Sequence, residues 1–192
     1  LLAIQLVVFG CFCFYLAKNI KLGISPDEIY HFNVSKAYSE TLGIPPNSPD
    51  TYDYGDITTK PFLYFWVNGR ILNFNIFEFD ELLLLRVISI IYSLLTLVGI
   101  YYLSKELIKN KKLQFVPVIL MSNTLMFTFL SAMVSYDNSL NLFSVFSIFF
   151  FVKVLRGRKL DKNFLLWVLF ISLGSLTKFT MLPLAFIQFV IF

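Results

Sequence analysis

The segment SPDEIYHF, residues 25–32, places two adjacent carboxylates close to the one histidine of the chain. Asp27 and His31 are four residues apart, so they share a face if the segment is helical, and Glu28 projects beside them. The first turn of a helix presents free backbone N–H groups and the positive end of the dipole, which stabilise an ionised carboxylate. Such a carboxylate can act as a general base that removes the proton of a hydroxyl group. The alternative interpretation is that both carboxylates only cap the helix.

The rest of the chain has the composition of a helical membrane protein. Hydrophobic residues make up 57% of its 192 residues and the mean hydropathy is +0.73, whereas an ordinary soluble domain is about 45–50% apolar. Long apolar runs predict five membrane-spanning helices and the start of a sixth. The predicted spans are residues 1–17, 81–107, 115–134, 139–155 and 164–177, with the sixth beginning near residue 179. Because both ends of the chain cut through apolar runs, we expect a piece of a longer membrane protein, with residues 1–192 in a single transmembrane domain.

Basic residues in the short loops predict the orientation of the spans, because cytoplasmic loops are rich in lysine and arginine. Loops 104–114 and 153–163 carry four and five basic residues, so we expect both of them in the cytoplasm. The long loop 18–80 then lies outside the membrane, with eight acidic and five basic residues. The net charge of +4 therefore reflects the cytoplasmic loops of a multi-pass protein and does not indicate a nucleic-acid partner.

The external loop is too long for a simple connector and contains helical patterns of its own. Ser25 and Glu28 fit a capping box that begins a helix over residues 26–41. The apolar stripe of that helix predicts that it lies along the membrane surface. Residues 60–74 predict a second interfacial segment, with Trp66 and Tyr64 at the depth of the lipid headgroups.

Four charged residues outside the capped helix are further candidates, since a charge within or beside a membrane span is costly and usually functional. Arg86 lies just inside the second span, Asp137 lies in the turn before the fourth, and Lys178 ends the fifth. The fifth span is short, so Lys178 could meet the phosphate of a lipid in the outer leaflet. The predicted topology puts these residues and Lys60 on the external side. An Arg86–Asp137 ion pair that only holds helices together is the structural alternative.

The order of these features resembles the GT-C superfamily of polyprenyl-phosphate-sugar-dependent glycosyltransferases, in particular the protein mannosyltransferases and aminoarabinose transferases. The Asp-Glu pair of that family is matched by PDEIYHF, and its Lys-Pro-Pro-Leu-Tyr-Tyr-Trp-like segment by KPFLYFW, in which Phe62 replaces the second proline. Its Arg in the second span and its Asp before the fourth are matched by Arg86 and Asp137, and the Thr-Lys pair that closes its fifth span is matched by Thr177 and Lys178. The resemblance covers essentially the whole chain and implies the N-terminal part of a GT-C-like, all-α transmembrane fold.

The resemblance also implies an inverting transfer of a sugar from a polyprenyl phosphate to a hydroxyl of a protein, lipid or glycan acceptor, on the external face of the cell membrane. Asp27 matches the catalytic base of the family, and Glu28 is its partner in the pair. Cations beside the donor phosphate would stabilise the charge that develops on it. The residues that match such positions are Lys60, Arg86 and Lys178. Asp137 is expected to orient one of these cations or to contact the acceptor.

Cofactors and competing functions stay open at the level of the sequence. No cofactor is certain, but His31 could bind a divalent metal ion, as in some relatives, or hydrogen-bond within the loop. A transporter or flippase for a lipid-linked sugar would also use charges in a membrane, although such proteins usually show inverted repeats or broken helices. A non-catalytic membrane assembly subunit would explain the spans, but not why the charged residues are predicted on one side.

Overall fold

The computed structural model describes residues 1–25, 27–49, 51, 57–157 and 161–192, and the secondary structure within these ranges is helical throughout. The α-helices in chain order are α1 (Leu2–Asn19), α2 (Glu28–Glu40), α3 (Leu63–Asn73), α4 (Glu81–Leu107), α5 (Val116–Ser122), α6 (Leu125–Ser131), α7 (Tyr136–Gly157), α8 (Lys162–Thr177) and α9 (Met181–Ile191). By length and composition, α1, α4 and α7 can cross a membrane, and α8 and α9 are shorter apolar helices. The predicted all-α membrane fold is confirmed. The expected helix start at Pro26 and part of the second basic loop, residues 158–160, lie outside the described residues.

Helices α4 and α7 run side by side in the same direction. In the first half of each helix, the hydroxyl of Ser93 in α4 donates to Asn138 Oδ1 in α7 at 3.3 Å. At the ends of the two helices, Arg156 in α7 donates to Glu106 Oε2 in α4 at 2.6 Å. Helix α8 then returns antiparallel to α7, with which it packs closely. The starts of α4 and α7 and the end of α8 therefore meet at one end of the bundle, and basic residues collect at the opposite end.

The third predicted span, residues 115–134, is wrong as a single helix, because the chain forms the two short helices α5 and α6 with a break between them. At the break, Asn123 Nδ2 donates to the Ile119 carbonyl at 2.8 Å, and Thr124 Oγ1 donates to the Leu120 carbonyl at 3.0 Å. Side chains of this kind compete with backbone N–H groups for helix carbonyls. The local polar pair therefore offers the backbone an alternative to a continuous helix.

Helices α2 and α3 pack closely against each other. The apolar stripe of α2 is fully buried at Val34 and Tyr38, within a core cluster shared with α3 and α4. Tyr64 lies in the same cluster and is 2% exposed, whereas Trp66 is 37% exposed. The close approach depends on Gly69, where an added Cβ would come within 2.7 Å of the Tyr38 carbonyl carbon.

Candidate functional site

Asp27 precedes the first residue of α2 and is exposed to solvent. Its backbone has φ 61°, a left-handed conformation that an aspartate tolerates better than most residues other than glycine. Its carbonyl accepts the His31 N–H at 2.9 Å, but its side chain makes no hydrogen bond to cap the helix. The carboxylate of Asp27 is therefore presented to solvent without a capping role.

Glu28, the next residue, has the opposite environment and is completely buried. Arg86 Nε and Nη2 donate to its two carboxylate oxygens at 2.8 and 2.7 Å, and the Val134 N–H donates to Oε1 at 3.0 Å. The predicted capping-box role of Glu28 is therefore wrong, since its carboxylate reaches across to α4 and to the segment before α7. A bidentate arginine–carboxylate pair of this kind is both strong and specific in geometry.

Arg86 is as deeply buried as its partner, at 2% exposure. Its Nη1 donates to the carbonyls of Ala17 and Ile20 at 2.6 and 2.7 Å, which lie where α1 ends. The guanidinium thus satisfies carbonyl groups at a helix terminus that lack partners within the helix. The alternative of an Arg86–Asp137 pair is wrong, because the carboxylate that pairs with Arg86 is that of Glu28.

Asp137 pairs with Lys178, whose Nζ donates to Asp137 Oδ1 at 2.8 Å. The two side chains are 35% and 28% exposed, so this pair is open to solvent, and Nζ also lies 4.2 Å from the centre of the Tyr136 ring. Burial alone would lower the pKa of Lys178, but the hydrogen bond and charge of Asp137 raise that pKa above its usual value. Lys178 is therefore a fully charged ammonium group at the end of α8.

A pocket of about 280 Å³ lies beside Lys178 at this end of the bundle. Four of its nine lining residues are aromatic, and each of two segments contributes a lysine. The lining residues are Tyr30, Lys60, Pro61, Phe65, Tyr136, Thr177, Lys178, Phe179 and Thr180. Lys60 is exposed, donates to the Tyr30 hydroxyl at 3.0 Å and lies 4.5 Å from the centre of that ring. The structure therefore brings Lys60 and Lys178 to one pocket and leaves Arg86 outside its lining.

His31 is buried beneath this pocket, with 3% of its surface exposed. Burial lowers the pKa of the imidazole to about 4, so the ring is neutral at pH 7. Two nearby carboxylates raise the pKa of the ring and two nearby ammonium groups lower it, but the effect of burial is larger. These four charged groups belong to Asp27, Asp137, Lys178 and Lys60.

The alternative prediction for His31 is a metal-binding role. Among the described residues, no group of three or more histidine, cysteine, aspartate or glutamate side chains is close enough to hold a metal ion. The neighbours of the imidazole ring are aromatic, with its closest ring contact to Tyr136 at 4.2 Å between centroids.

Sequence reasoning missed the aromatic residues that carry the site, in particular Tyr30, Phe65 and Tyr136. A signal was present, because Tyr30 and Tyr136 each stand next to a singled-out polar residue, His31 and Asp137. Aromatic residues make up 18% of the chain, however, and this frequency hides the few that contact a lysine.

Membrane-length helices, together with a charged and aromatic pocket at one end of the bundle, are features of a GT-C-type membrane glycosyltransferase. A family model described as dolichyl-phosphate-mannose-protein mannosyltransferase matches residues 59–192, which is more than half of the chain. The chain belongs to this family. Neither the curated proteins nor the solved structures that were compared with the chain include a significant match.

The matched range does not cover the whole candidate site. Lys60, Asp137 and Lys178 lie within it, whereas Asp27 and His31 precede it. The two parts of the site are joined by the fold, through the contacts of α2 with α3 and with the start of α7.

Proposed function

We propose that this protein transfers a sugar from a polyprenyl-phosphate donor to an acceptor hydroxyl, with Asp27 as the general base and with inversion at the sugar carbon. The observation that carries the proposal is the exposed carboxylate of Asp27. Its charge and the charges of Lys60 and Lys178 all influence the pKa of the buried His31 ring, so the base and the two cations lie in one region. A base and two phosphate-binding cations are the groups that this transfer requires.

The pocket suits the phosphate end of a polyprenyl donor. Lys60 and Lys178 present positive charge to it, and the rings of Phe65 and Phe179 supply an apolar surface for the first isoprene unit. Preorganised cations stabilise the negative charge that develops on a leaving phosphate more strongly in an apolar site than in water. Donor binding and leaving-group stabilisation are therefore assigned to the same two lysines.

The proposed reaction is a single displacement. Asp27 removes the proton of the acceptor hydroxyl while its oxygen forms a bond to the anomeric carbon of the sugar. The bond from that carbon to the phosphate oxygen breaks, and the electron pair leaves with the polyprenyl phosphate, which Lys60 and Lys178 stabilise. The oxygen attacks from the face opposite the leaving group, so the configuration inverts, and Asp27 then gives its proton to water.

Glu28 and Arg86 have a positioning role in this proposal, although the family resemblance had suggested direct roles for both. Their buried pair joins the end of α1 and the body of α4 to the first residue of α2. Asp27 immediately precedes that residue, so the pair fixes where its carboxylate is presented. Asp137 holds Lys178 in the same way, through the hydrogen bond at 2.8 Å.

The proposed site faces the exterior of the cell membrane. The pocket lies where α7 begins and α8 ends, and the basic residues Lys105, Lys153 and Arg156 lie near the far ends of α4 and α7. Cytoplasmic loops are enriched in such residues. A protein, lipid or glycan acceptor would therefore meet the membrane-borne donor outside the cytoplasm.

The test is an assay of polyprenyl phosphate release from a panel of polyprenyl-phosphate sugars, with the protein in membranes. Asp27→Asn removes the base at nearly constant size and should lower the transfer rate by at least about 100-fold while donor binding is kept. Asp80→Asn is the matched control, because Asp80 also precedes a helix and accepts the Leu83 N–H at 2.7 Å, a role that asparagine can fill. Undiminished transfer by Asp27→Asn would remove Asp27 from the chemistry.

A further inference from the structure

His31 lies between the two aromatic rings on which the pocket lysines rest. Lys60 Nζ is 4.5 Å from the centre of the Tyr30 ring, and Lys178 Nζ is 4.2 Å from the centre of the Tyr136 ring. The imidazole contacts both rings edge-on, with centroid distances of 5.3 Å to Tyr30 and 4.2 Å to Tyr136. An unbroken series of contacts therefore runs from one lysine through three rings to the other.

We propose that His31 is a positioning residue that sets the separation of Lys60 and Lys178 through the rings of Tyr30 and Tyr136, and so tunes the site for a lipid-linked phosphate. This inference rests on the proposed function, because it assigns the two lysines to the donor phosphate. It gives His31 neither a metal nor a proton-transfer role.

The imidazole is held firmly enough to act as a spacer. In addition to Tyr30 and Tyr136, the imidazole contacts two further rings. It stacks on Phe65 at a centroid distance of 5.9 Å and an interplanar angle of 29°, and it meets Tyr64 edge-on at 6.1 Å. Phe65 and Tyr64 are themselves 3% and 2% exposed. A ring enclosed by buried rings has little space to move, so a change in its size would be passed on to its neighbours.

The contacts of His31 use the faces and edges of its ring more than its nitrogen atoms. Nδ1 is buried and has no hydrogen-bond partner among the described residues. A buried polar atom without a partner lowers stability. The imidazole is therefore not explained as a hydrogen-bonding element of the folded core, and its shape is the property that the surrounding rings sense.

The neutral state of the ring is consistent with this role. Lys60 and Lys178 both lower the pKa of His31, and burial lowers it more than either of them. A charged imidazolium between the two lysine-bearing rings would repel both ammonium groups. A neutral aromatic spacer allows the two cations to stay near one pocket.

The experiment measures binding of polyprenyl phosphate, the common product of any such donor, to the purified full chain in lipid nanodiscs. His31→Ala should weaken binding about tenfold, because both cation–ring contacts lose their support. His31→Phe keeps a planar ring and should bind within about twofold of the wild type. Phe127→Ala is the control, since it removes a 5% exposed ring from the separate cluster around Phe9. It should lower the unfolding temperature and leave polyprenyl phosphate binding unchanged.

Several results would overturn the inference. They are unchanged binding by His31→Ala, binding by His31→Phe as weak as that of the alanine variant, or an equal loss of binding in Phe127→Ala. If His31→Ala does not fold, His31→Leu replaces it, because leucine fills the core but offers no planar ring, and the same tenfold loss is expected. Failure of the wild type itself to bind polyprenyl phosphate would instead overturn the proposed function.

Discussion

Two ion pairs lie near the start of α2, and they differ in burial although their lengths are almost the same. The Glu28–Arg86 pair spans 2.7 Å with both side chains at most 2% exposed. The Asp137–Lys178 pair spans 2.8 Å with side chains that are 35% and 28% exposed. Removing two charges from water is costly and is repaid only by good geometry and further hydrogen bonds, which the first pair has. The first pair therefore holds helices together, whereas the partly exposed Lys178 of the second pair is accessible to a ligand.

The largest expected effect comes from breaking the buried pair. Glu28→Gln leaves the Arg86 guanidinium buried without a counter-charge, which should lower the free energy of unfolding by roughly 3–5 kcal/mol. Asp137→Asn is the matched control at the exposed pair and should cost less than about 1 kcal/mol. Denaturant titrations of both variants in the same detergent measure the difference. Equal losses of stability would show that burial does not separate the two pairs.

The exposed pair should instead control donor binding. Lys178→Met removes a charge-assisted contact to the donor phosphate and should weaken binding of polyprenyl phosphate roughly tenfold to 100-fold. Lys178→Arg keeps the charge and should retain most of the affinity. Isothermal titration in nanodiscs measures both variants. If Lys178→Met binds as the wild type does, the phosphate does not contact Lys178.

A smaller effect is expected in the pH dependence of stability. The pKa of His31 is about 4 in the folded protein and about 6.5 in an unfolded chain, so the unfolded chain binds more protons between these values. The stability contribution of the neutral ring is therefore complete above about pH 6.5 and is lost as the pH falls towards 4. Between pH 7 and pH 5, the free energy of unfolding of the wild type should therefore fall by about 2 kcal/mol more than that of His31→Phe.

Thermal unfolding at pH 7 and pH 5 checks this expectation, and taking the difference between the two proteins cancels the titration of most other groups. The charged groups near the ring are Asp27, Asp137, Lys178 and Lys60, all present in both proteins. Parallel pH profiles for the wild type and His31→Phe would contradict the buried neutral state of the imidazole.

The sequence predicted the parts of the fold that depend on local signals. Helix α4 has the predicted bounds, because Asp80 caps a long apolar run. The break between α5 and α6 was missed, because hydropathy does not register the local hydrogen bonds of Asn123 and Thr124. An apolar run shows that a segment can cross a membrane, and it does not show that the helix is continuous.

The sequence also could not predict which charged residues of the site pair with each other when they are far apart in the chain. The sequence identified Glu28 and Arg86 as charged residues on one side, but they are 58 positions apart and they meet beside the core cluster that α2 shares with α3 and α4. The same limit explains the wrong pairing of Arg86 with Asp137. The direct role of Asp27 in catalysis stays a prediction. Because Asp27 is exposed and its neighbour Glu28 is buried, a substitution of Asp27 can be tested without disturbing the core.

The most direct test of the central claim replaces Asp27 by glycine. The φ of 61° at this position is well suited to glycine, so Asp27→Gly removes the carboxylate with little strain and should keep the wild-type unfolding temperature and donor affinity. The account predicts that its single-turnover rate of sugar transfer falls at least about 100-fold and is partly restored by added formate, a small carboxylate. Transfer at the wild-type rate by this folded, donor-binding variant would contradict the account.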